Sequence, residues 1–378
     1  MGITFDLAET IKFDLLASGL RVTPRARDLI DAANHSRALT SADYASTSGL
    51  ILQLDGDVWV NAPTVEHNAN FVADSEYLLD VDGSGLCVRG RAGHVSARMW
   101  LQPAWHSGAT PSGQPHSRIG VAHGDRVRVS PIEGCAYTCT FCDLPYEFRY
   151  RPKDVADLIH VLRLALSDPD QPSAHILISG GTPRPEDYAY VRDCYEAVLT
   201  EFPGVPVDIM MVPLREVLDL PTLRSLGLRE VSINLEIWSN EVARRIMPRK
   251  HKQGRDHYLD YLSEAAEVLG GHNVRSMLML GLEPLEDTLA GVAEIASRGC
   301  VPVLSPFRAD PSTPLRGWPV PSAAEIAEAY RRAWEITAAA GVPLGPSCMP
   351  CAHNTVTLPA RRGHGSATMA YGTPHLVG

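Results

Sequence analysis

The chain of 378 residues is 45% hydrophobic and 21% charged, with 30 Gly and 29 Pro, a composition that excludes disorder, a collagen-like rod and a disulfide miniprotein. Lys and Arg number 34 against 44 Asp and Glu, so the net charge is −10 and no general basic surface is available to neutralise a nucleic-acid backbone or settle on an anionic membrane. The N-terminus mixes Asp, Glu and Lys into its apolar positions, unlike a signal peptide, and no run nears the ~18 apolar residues of a membrane span, so a cytoplasmic protein is expected.

Residues 1 to about 48 read as two short helices, the second N-capped by Thr23 with Pro24 at its first position. From Gly49, runs such as LILQLDGDVWV and LCVRGRAGHVSARMWLQP alternate as strands do, and the Gly-, Pro- and Ser-rich stretch 105–116 reads as a linker. Beyond a boundary near residue 120, strand patterns at 126–132, 175–179, 205–212, 230–237, 274–280 and 301–305 alternate with helical patterns at 153–166, 185–200, 218–226, 256–269 and 286–297. Ser322 and Glu325 form a capping box for a last helix that stops at Gly341. Each parallel strand pair needs a crossover of one hand, so six such units predict an α/β fold. The expected architecture is a partial (β/α)6, TIM-like barrel over 121–344, preceded by an N-terminal α+β extension over 1–120. A Cys-containing C-terminal tail follows over 345–378, its end expected to be flexible. Reactive groups gather where such strands end.

The 8 cysteines are unevenly spread, and clustered thiols in a reducing compartment point to metal or redox chemistry. Cys135, Cys139 and Cys142 follow the first strand; three thiolates can hold three irons of a cubane and leave the fourth iron open. Zinc is the alternative, with Asp143 the nearby residue to complete a site. The second strand ends in Gly180 and Gly181, where a backbone can approach a ligand closely. Asn234 and Glu236, two apart, share one face of the fourth strand and need polar partners inside a barrel. In the basic stretch that follows, Arg249 or Lys250 suits a carboxylate clamp, and past the sixth strand Arg308 suits a substrate carboxylate or phosphate. Glu286 and Asp287 suit a helix N-terminus. Cys348 and Cys351 make half of a metal site, with a small zinc site or a redox dithiol left open as readings; Cys194 and Cys300 read as buried structural thiols.

The loop EGCAYTCTFCDLPY after the first strand is followed in order by ILISGGTP, EVSINLEIW, VRSMLMLGLEPLEDT and VPVLSPFRADPSTPL. Over about residues 120–345 this series resembles the radical S-adenosylmethionine (radical SAM) superfamily, nearest in its strand motifs to the biotin synthase and lipoyl synthase branch. The resemblance implies a 4Fe-4S cluster held by Cys135, Cys139 and Cys142, whose open iron chelates S-adenosylmethionine for reductive cleavage to a 5′-deoxyadenosyl radical. It implies that Phe141 approaches the adenine, that Ser179, Gly180, Gly181 and Thr182 bind the methionine moiety, and that Asn234 and Glu236 contact ribose or substrate. Ser276, Arg249 and Lys250 complete the expected cofactor-binding set, with Arg308 on the substrate. An auxiliary iron–sulfur cluster is expected on Cys348 and Cys351, with Cys87 as third ligand because the N-terminal region should pack near the barrel mouth.

The expected partners are a small-molecule or carrier-bound substrate and a ferredoxin- or flavodoxin-type reductant, with no nucleic acid and no membrane. The reaction implied is sulfur insertion or another C–H functionalisation assisted by the auxiliary cluster; a rearrangement, lyase, epimerase or dehydrogenase reaction is the alternative, and a zinc-stabilised binding protein without catalysis is the alternative of another class. The pattern departs from the branch at Glu236 (for Asp), Leu282 (for a small residue) and Ser312 (for Gly), and no Cys stands beside Asn234 or Ser276.

Overall fold

The computed structural model describes residues 3–34, 49–64, 75–83, 85–91, 93–359 and 376–377; most of the tail end expected to be flexible lies outside these. The N-terminal helices are Leu7–Ser18 and Pro24–Ala33. Thr23 caps the second as expected, its hydroxyl accepting from the Ala26 amide at 3.2 Å. Strands β1 (Arg21–Val22), β2 (Gly49–Leu54), β3 (Val58–Pro63), β4 (Leu78–Asp82), β5 (Gly85–Gly90) and β6 (Gly93–Trp100) form one sheet in the order β1-β4-β5-β6-β2-β3. The stretch expected to be a linker is instead packed: it carries a 3-10 turn, Ala104–Ser107, and buries His106, Thr110 and His116. His106 Nε2 accepts from the Ala122 amide at 2.9 Å and so holds the stretch onto the next sheet.

That sheet begins at residue 120 with β7 (Gly120–His123) and β8 (Arg126–Val129). After the short antiparallel pair β9 (Ile132–Glu133) and β10 (Arg151–Pro152) it continues through β11 (His175–Ser179), β12 (Val207–Met210), β13 (Leu228–Ser232), β14 (Val274–Leu280) and β15 (Val301–Pro306), in the order β15-β14-β13-β12-β11-β8-β7. From β8 through β15 the pairs in this sheet are parallel, and only β7 is antiparallel. Helices Val155–Leu166, Tyr188–Glu201, Leu220–Ser225, Arg255–Leu269 and Leu285–Ser297 form the crossovers. The result is the expected partial TIM-like barrel; every residue of β11 and β15 is buried, as strands covered on both faces must be.

Two differences from the sequence expectations, at the ends of the first and fourth strands, have local causes. The first strand stops at Val129 because Pro131 has no amide to donate and the Ser130 hydroxyl turns back to the Ile132 carbonyl. The fourth stops at Ser232, where side chains take over the ladder. The basic stretch after it forms two short helices, Asn240–Ile246 and Pro248–Gln253, separated where Pro248 restarts the turn. The capping box of Ser322 and Glu325 closes on helix Ala323–Ala340, whose C-terminus is Gly341 in the left-handed region. The chain then returns along β15: Gly345 bridges Val303, and the Val356 amide donates to the Leu304 carbonyl at 3.0 Å. Its turn 349–352 packs Met349 and Ala352 against Ile51, Trp59 and Trp100 of the N-terminal sheet.

Candidate active site

The three-cysteine loop leaves β9 at the C-terminal end of the barrel strands, and the segment after β11 clamps it. The Ala136 amide donates to the Thr182 carbonyl at 2.9 Å. The amides of Thr182 and Tyr137 both point at the Cys135 sulfur, at 3.1 and 3.3 Å. A methyl group at Gly181 would stand 1.8 Å from the Gly134 carbonyl oxygen and 2.6 Å from the Cys135 Cα, and one at Gly180 would stand 2.0 Å from the Ser130 hydroxyl. Gly181 is therefore demanded by the backbone of the cysteine loop lying directly against it, and Gly180 by its positive φ and the Ser130 side chain. Thr140 ties the far side of the loop, its amide donating to the Ile246 carbonyl at 2.8 Å and its own carbonyl accepting from Leu315 at 3.3 Å.

Cys139 is buried among Ile237, Ala243, Ile246, Met247, Leu282 and Phe307, with Phe141 and Cys142 half-buried at the edge of the same apolar cluster. Burial pushes the Cys139 thiol up to about 12, with Glu236 adding to the effect, and burial together with Asp143 holds Cys142 above its ordinary range. Glu236 and Asp143 bring negative charge to the loop, answered by Lys250 and Arg128. Three cysteines on one short loop, two amides aimed at one sulfur and an apolar surround fit an iron–sulfur cube, which favours thiolates and a dry shell.

Glu236 and Lys250 stand next to this loop. Lys250 Nζ donates to Glu236 Oε2 at 2.6 Å and to the Asn234 carbonyl at 3.3 Å, and Glu236 has a left-handed φ of 65°. Burial is the largest influence on the Lys250 ammonium and would lower it, but Glu236, Tyr258 and Cys139 together more than offset it and hold it above its ordinary value. Arg249 is exposed on the same helix. Asn234 and Ser276, in contrast, are spent on the sheet. Asn234 Oδ1 accepts from the Met277 amide at 3.0 Å and the Ser276 hydroxyl accepts from the Leu235 amide at 3.1 Å, bridging the gap where β13 ends. Arg308 donates to the side chain of Asn61 in β3 at 2.8 Å and to its carbonyl, fastening the N-terminal sheet to the barrel. Glu283 is a residue whose role the sequence did not reveal: its carboxylate accepts from the Trp238 and Ser239 amides, at 3.0 and 2.7 Å, at the entrance to helix Asn240–Ile246. Glu286 pairs with Arg332 on the surface.

Cys348 and Cys351 lie at the other end of the barrel, and Cys87 is not with them. Cys87 sits in the middle of β5, facing Asp80 and Ser96 across the ladder, and is fully buried there. The packed N-terminal sheet presents its own residues, Ile51, Trp59 and Trp100, to the 349–352 turn, so the expected third ligand is corrected. The groups that do converge on the two thiols are Asp125, just before β8, and His175, which opens β11. Neither was singled out from the sequence. Cys194 and Cys300 are buried, as expected of structural thiols. No helix among the described residues is long and apolar enough to cross a membrane.

Residues 129–292 match the family model described as the radical SAM superfamily. Among solved structures the chain is similar to HydG, a maturase of the [FeFe]-hydrogenase, at 14% identity and a TM-score of 0.46, covering 58% of this chain and 50% of that one. It is similar also to a radical SAM methyltransferase from Sphaerobacter thermophilus, at 16% identity and a TM-score of 0.47, over 69% of this chain and 71% of that one. HydG from Carboxydothermus hydrogenoformans matches at 18% identity and a TM-score of 0.37, over 45% and 40%. The chain thus spans about half the length of the first of these structures. No curated protein sequence matches it. Residues 129–292, which carry the three-cysteine loop behind the first parallel strand, are thus a domain of the radical SAM superfamily.

Proposed function

We propose that Cys135, Cys139 and Cys142 hold the 4Fe-4S cluster and that the enzyme abstracts hydrogen from an unactivated carbon of a small-molecule or carrier-bound substrate at the C-terminal mouth of the barrel. The observation that carries this reading is the clamp on the cysteine loop, where the Gly181 backbone lies against Cys135 and the Thr182 amide donates to its sulfur at 3.1 Å. When bound, the reduced cluster supplies the electron that cleaves S-adenosylmethionine to a hydrogen-abstracting radical.

The chain's own residues hold and shield. Amides of Thr182 and Tyr137 stabilise the Cys135 thiolate, and Ile237, Leu282 and Phe307 keep water from the Cys139 side of the loop. The Glu236–Lys250 pair, with Nζ at 2.6 Å, offers a carboxylate for ribose hydroxyls and an ammonium for a carboxylate from one buried position. Phe141 is half-buried at the edge of the same cluster, where an adenine ring can stack. Asn234, Ser276 and Arg308 are left with positioning roles, since each is bonded within the fold. The reading divides the chain into an extension over 1–120, a catalytic core over 121–344 and a tail over 345–378, and it takes a ferredoxin- or flavodoxin-type reductant. Sulfur insertion would need a sulfur-donating cluster on Cys348 and Cys351, and the four donors gathered there suit another role.

Anaerobic reconstitution with iron and sulfide, followed by dithionite and S-adenosylmethionine, tests the proposal. The wild type should release 5′-deoxyadenosine and methionine, and Cys135→Ala, Cys139→Ala and Cys142→Ala should each fall to background. Zinc without iron in the loop would leave the non-catalytic reading in its place, and equal release from all four proteins would overturn the assignment of these cysteines.

A further inference from the structure

Asp125, His175, Cys348 and Cys351 are all buried, and one donor atom from each lies within 4.8 Å of every other. Cys348 Sγ stands 3.3 Å from Asp125 Oδ1 and 3.7 Å from His175 Nε2. Cys351 Sγ stands 3.8 and 3.4 Å from the same two atoms, which are themselves 3.4 Å apart. Donors about 2.0–2.3 Å from a tetrahedral ion are separated by about 1.6 bond lengths, or roughly 3.3–3.8 Å. The five distances therefore match edges of a tetrahedron around one ion, and the sixth, between the two sulfurs, is within 4.8 Å. A multi-iron cluster sets its protein ligands on different irons, farther apart than donors converged on a point.

The donors come from separate parts of the chain that the fold has brought to one spot. Asp125 precedes β8 and His175 opens β11, with His175 opposite Arg126 in the ladder. The turn bearing both cysteines is pressed onto Gly124, where a methyl group would stand 2.8 Å from Pro350 Cβ. Two thiolates and a carboxylate leave one negative charge in excess of a divalent ion, and Arg126 and Arg275 both bear on Cys351. His175 and Ser179 bound the same strand, so this spot lies roughly 13 Å below the mouth, at the face of such barrels that serves stability.

We infer that Asp125, His175, Cys348 and Cys351 bind a single divalent ion of the zinc class, closed and four-coordinate, which fastens the C-terminal segment to the foot of the barrel. Binding takes both cysteines as thiolates and His175 as a neutral imidazole, and whatever protons these three groups carry in the metal-free site leave to solvent. The site is independent of the cysteine loop at the mouth.

Elemental analysis of the full chain tests this together with Co(II) as an optical probe of the demetallated protein. The expected result is about one zinc per chain, in the wild type and in a triple variant combining Cys135→Ala, Cys139→Ala and Cys142→Ala. Co(II) should give the intense visible bands of a tetrahedral ion with thiolate charge transfer. His175→Ala and Cys351→Ser should weaken Co(II) binding by at least about tenfold. Because a ligand variant can fail to fold, stripping the wild type with a chelator is the second arm: its melting temperature should fall and recover when zinc is returned. Iron and sulfide retained by the triple variant would overturn the inference in favour of an auxiliary cluster. A Cys348–Cys351 disulfide in the anaerobically isolated chain, or a Co(II) spectrum without tetrahedral bands, would overturn it too. Zinc bound without 5′-deoxyadenosine release would remove the reading of the mouth and leave this one standing.

Discussion

Gly181 has no room for a side chain because the cysteine loop passes 1.8 Å from where its Cβ would be. Overpacking of this kind costs about 1–3 kcal/mol and is relieved by moving one of the two backbones. Gly181→Ala is therefore expected to keep the barrel's circular dichroism while iron uptake on reconstitution falls; full uptake with unchanged 5′-deoxyadenosine release would show that the clamp is dispensable. At the foot of the barrel Arg275 donates to Glu230 at 2.7 Å and to Asp208, all three buried. Removing the cation leaves two carboxylates uncompensated, so Arg275→Met should lower unfolding stability by about 3–5 kcal/mol, measured by denaturant titration. A loss below about 1 kcal/mol would mean that water already screens the group. Glu236→Gln removes the carboxylate charge that pairs with the buried Lys250 ammonium at 2.6 Å. It should weaken S-adenosylmethionine binding about tenfold or more, read by equilibrium dialysis, with iron content unchanged.

At the scale of elements, helix Leu7–Ser18 is tied to the cysteine-bearing turn by one buried side chain. Lys12 Nζ donates to the Ala352 carbonyl at 3.1 Å and to that of Thr357, and burial lowers its pKa to about 7 against the opposing pull of Glu9. Between that value and the ordinary 10.5 the unfolded chain holds a proton that the folded one has released, so this group's contribution to stability rises with pH across the window. Below it both states are charged and the full cost of burying the ammonium is present. The melting temperature of the wild type relative to Lys12→Met should therefore increase from pH 6 to pH 9, and a flat difference would contradict the assignment. The helix itself was legible, as were the barrel strands, because runs such as HILIS and VPVLS are apolar on both faces. The end of the fourth strand was not: Asn234 and Ser276 read as ligand-facing polar residues, and only the ladder shows them replacing backbone partners. The two helices in 240–253 were masked by their charge, which obscured the periodicity.

For the whole molecule, the two cysteine groups mark opposite ends of one sheet. The first was legible because its cysteines and the clamp lie within consecutive βα units, where sequence order is spatial order. The second was half legible: Cys348 and Cys351 were plain, but Asp125 and His175 lie 223 and 173 residues from Cys348, and only the adjacency of β8 and β11 joins them. Cys87 lies inside the N-terminal sheet, which presents aromatic and aliphatic residues to the 349–352 turn in its place. The central claim is that a trio of thiolates leaves one iron of the cube free for S-adenosylmethionine. Mössbauer spectroscopy of the iron-loaded full chain, recorded before and after S-adenosylmethionine is added, tests it directly. The account predicts that about a quarter of the cluster iron, the site without a cysteine, shifts to a higher coordination number on addition; a spectrum in which every iron is unchanged would contradict it.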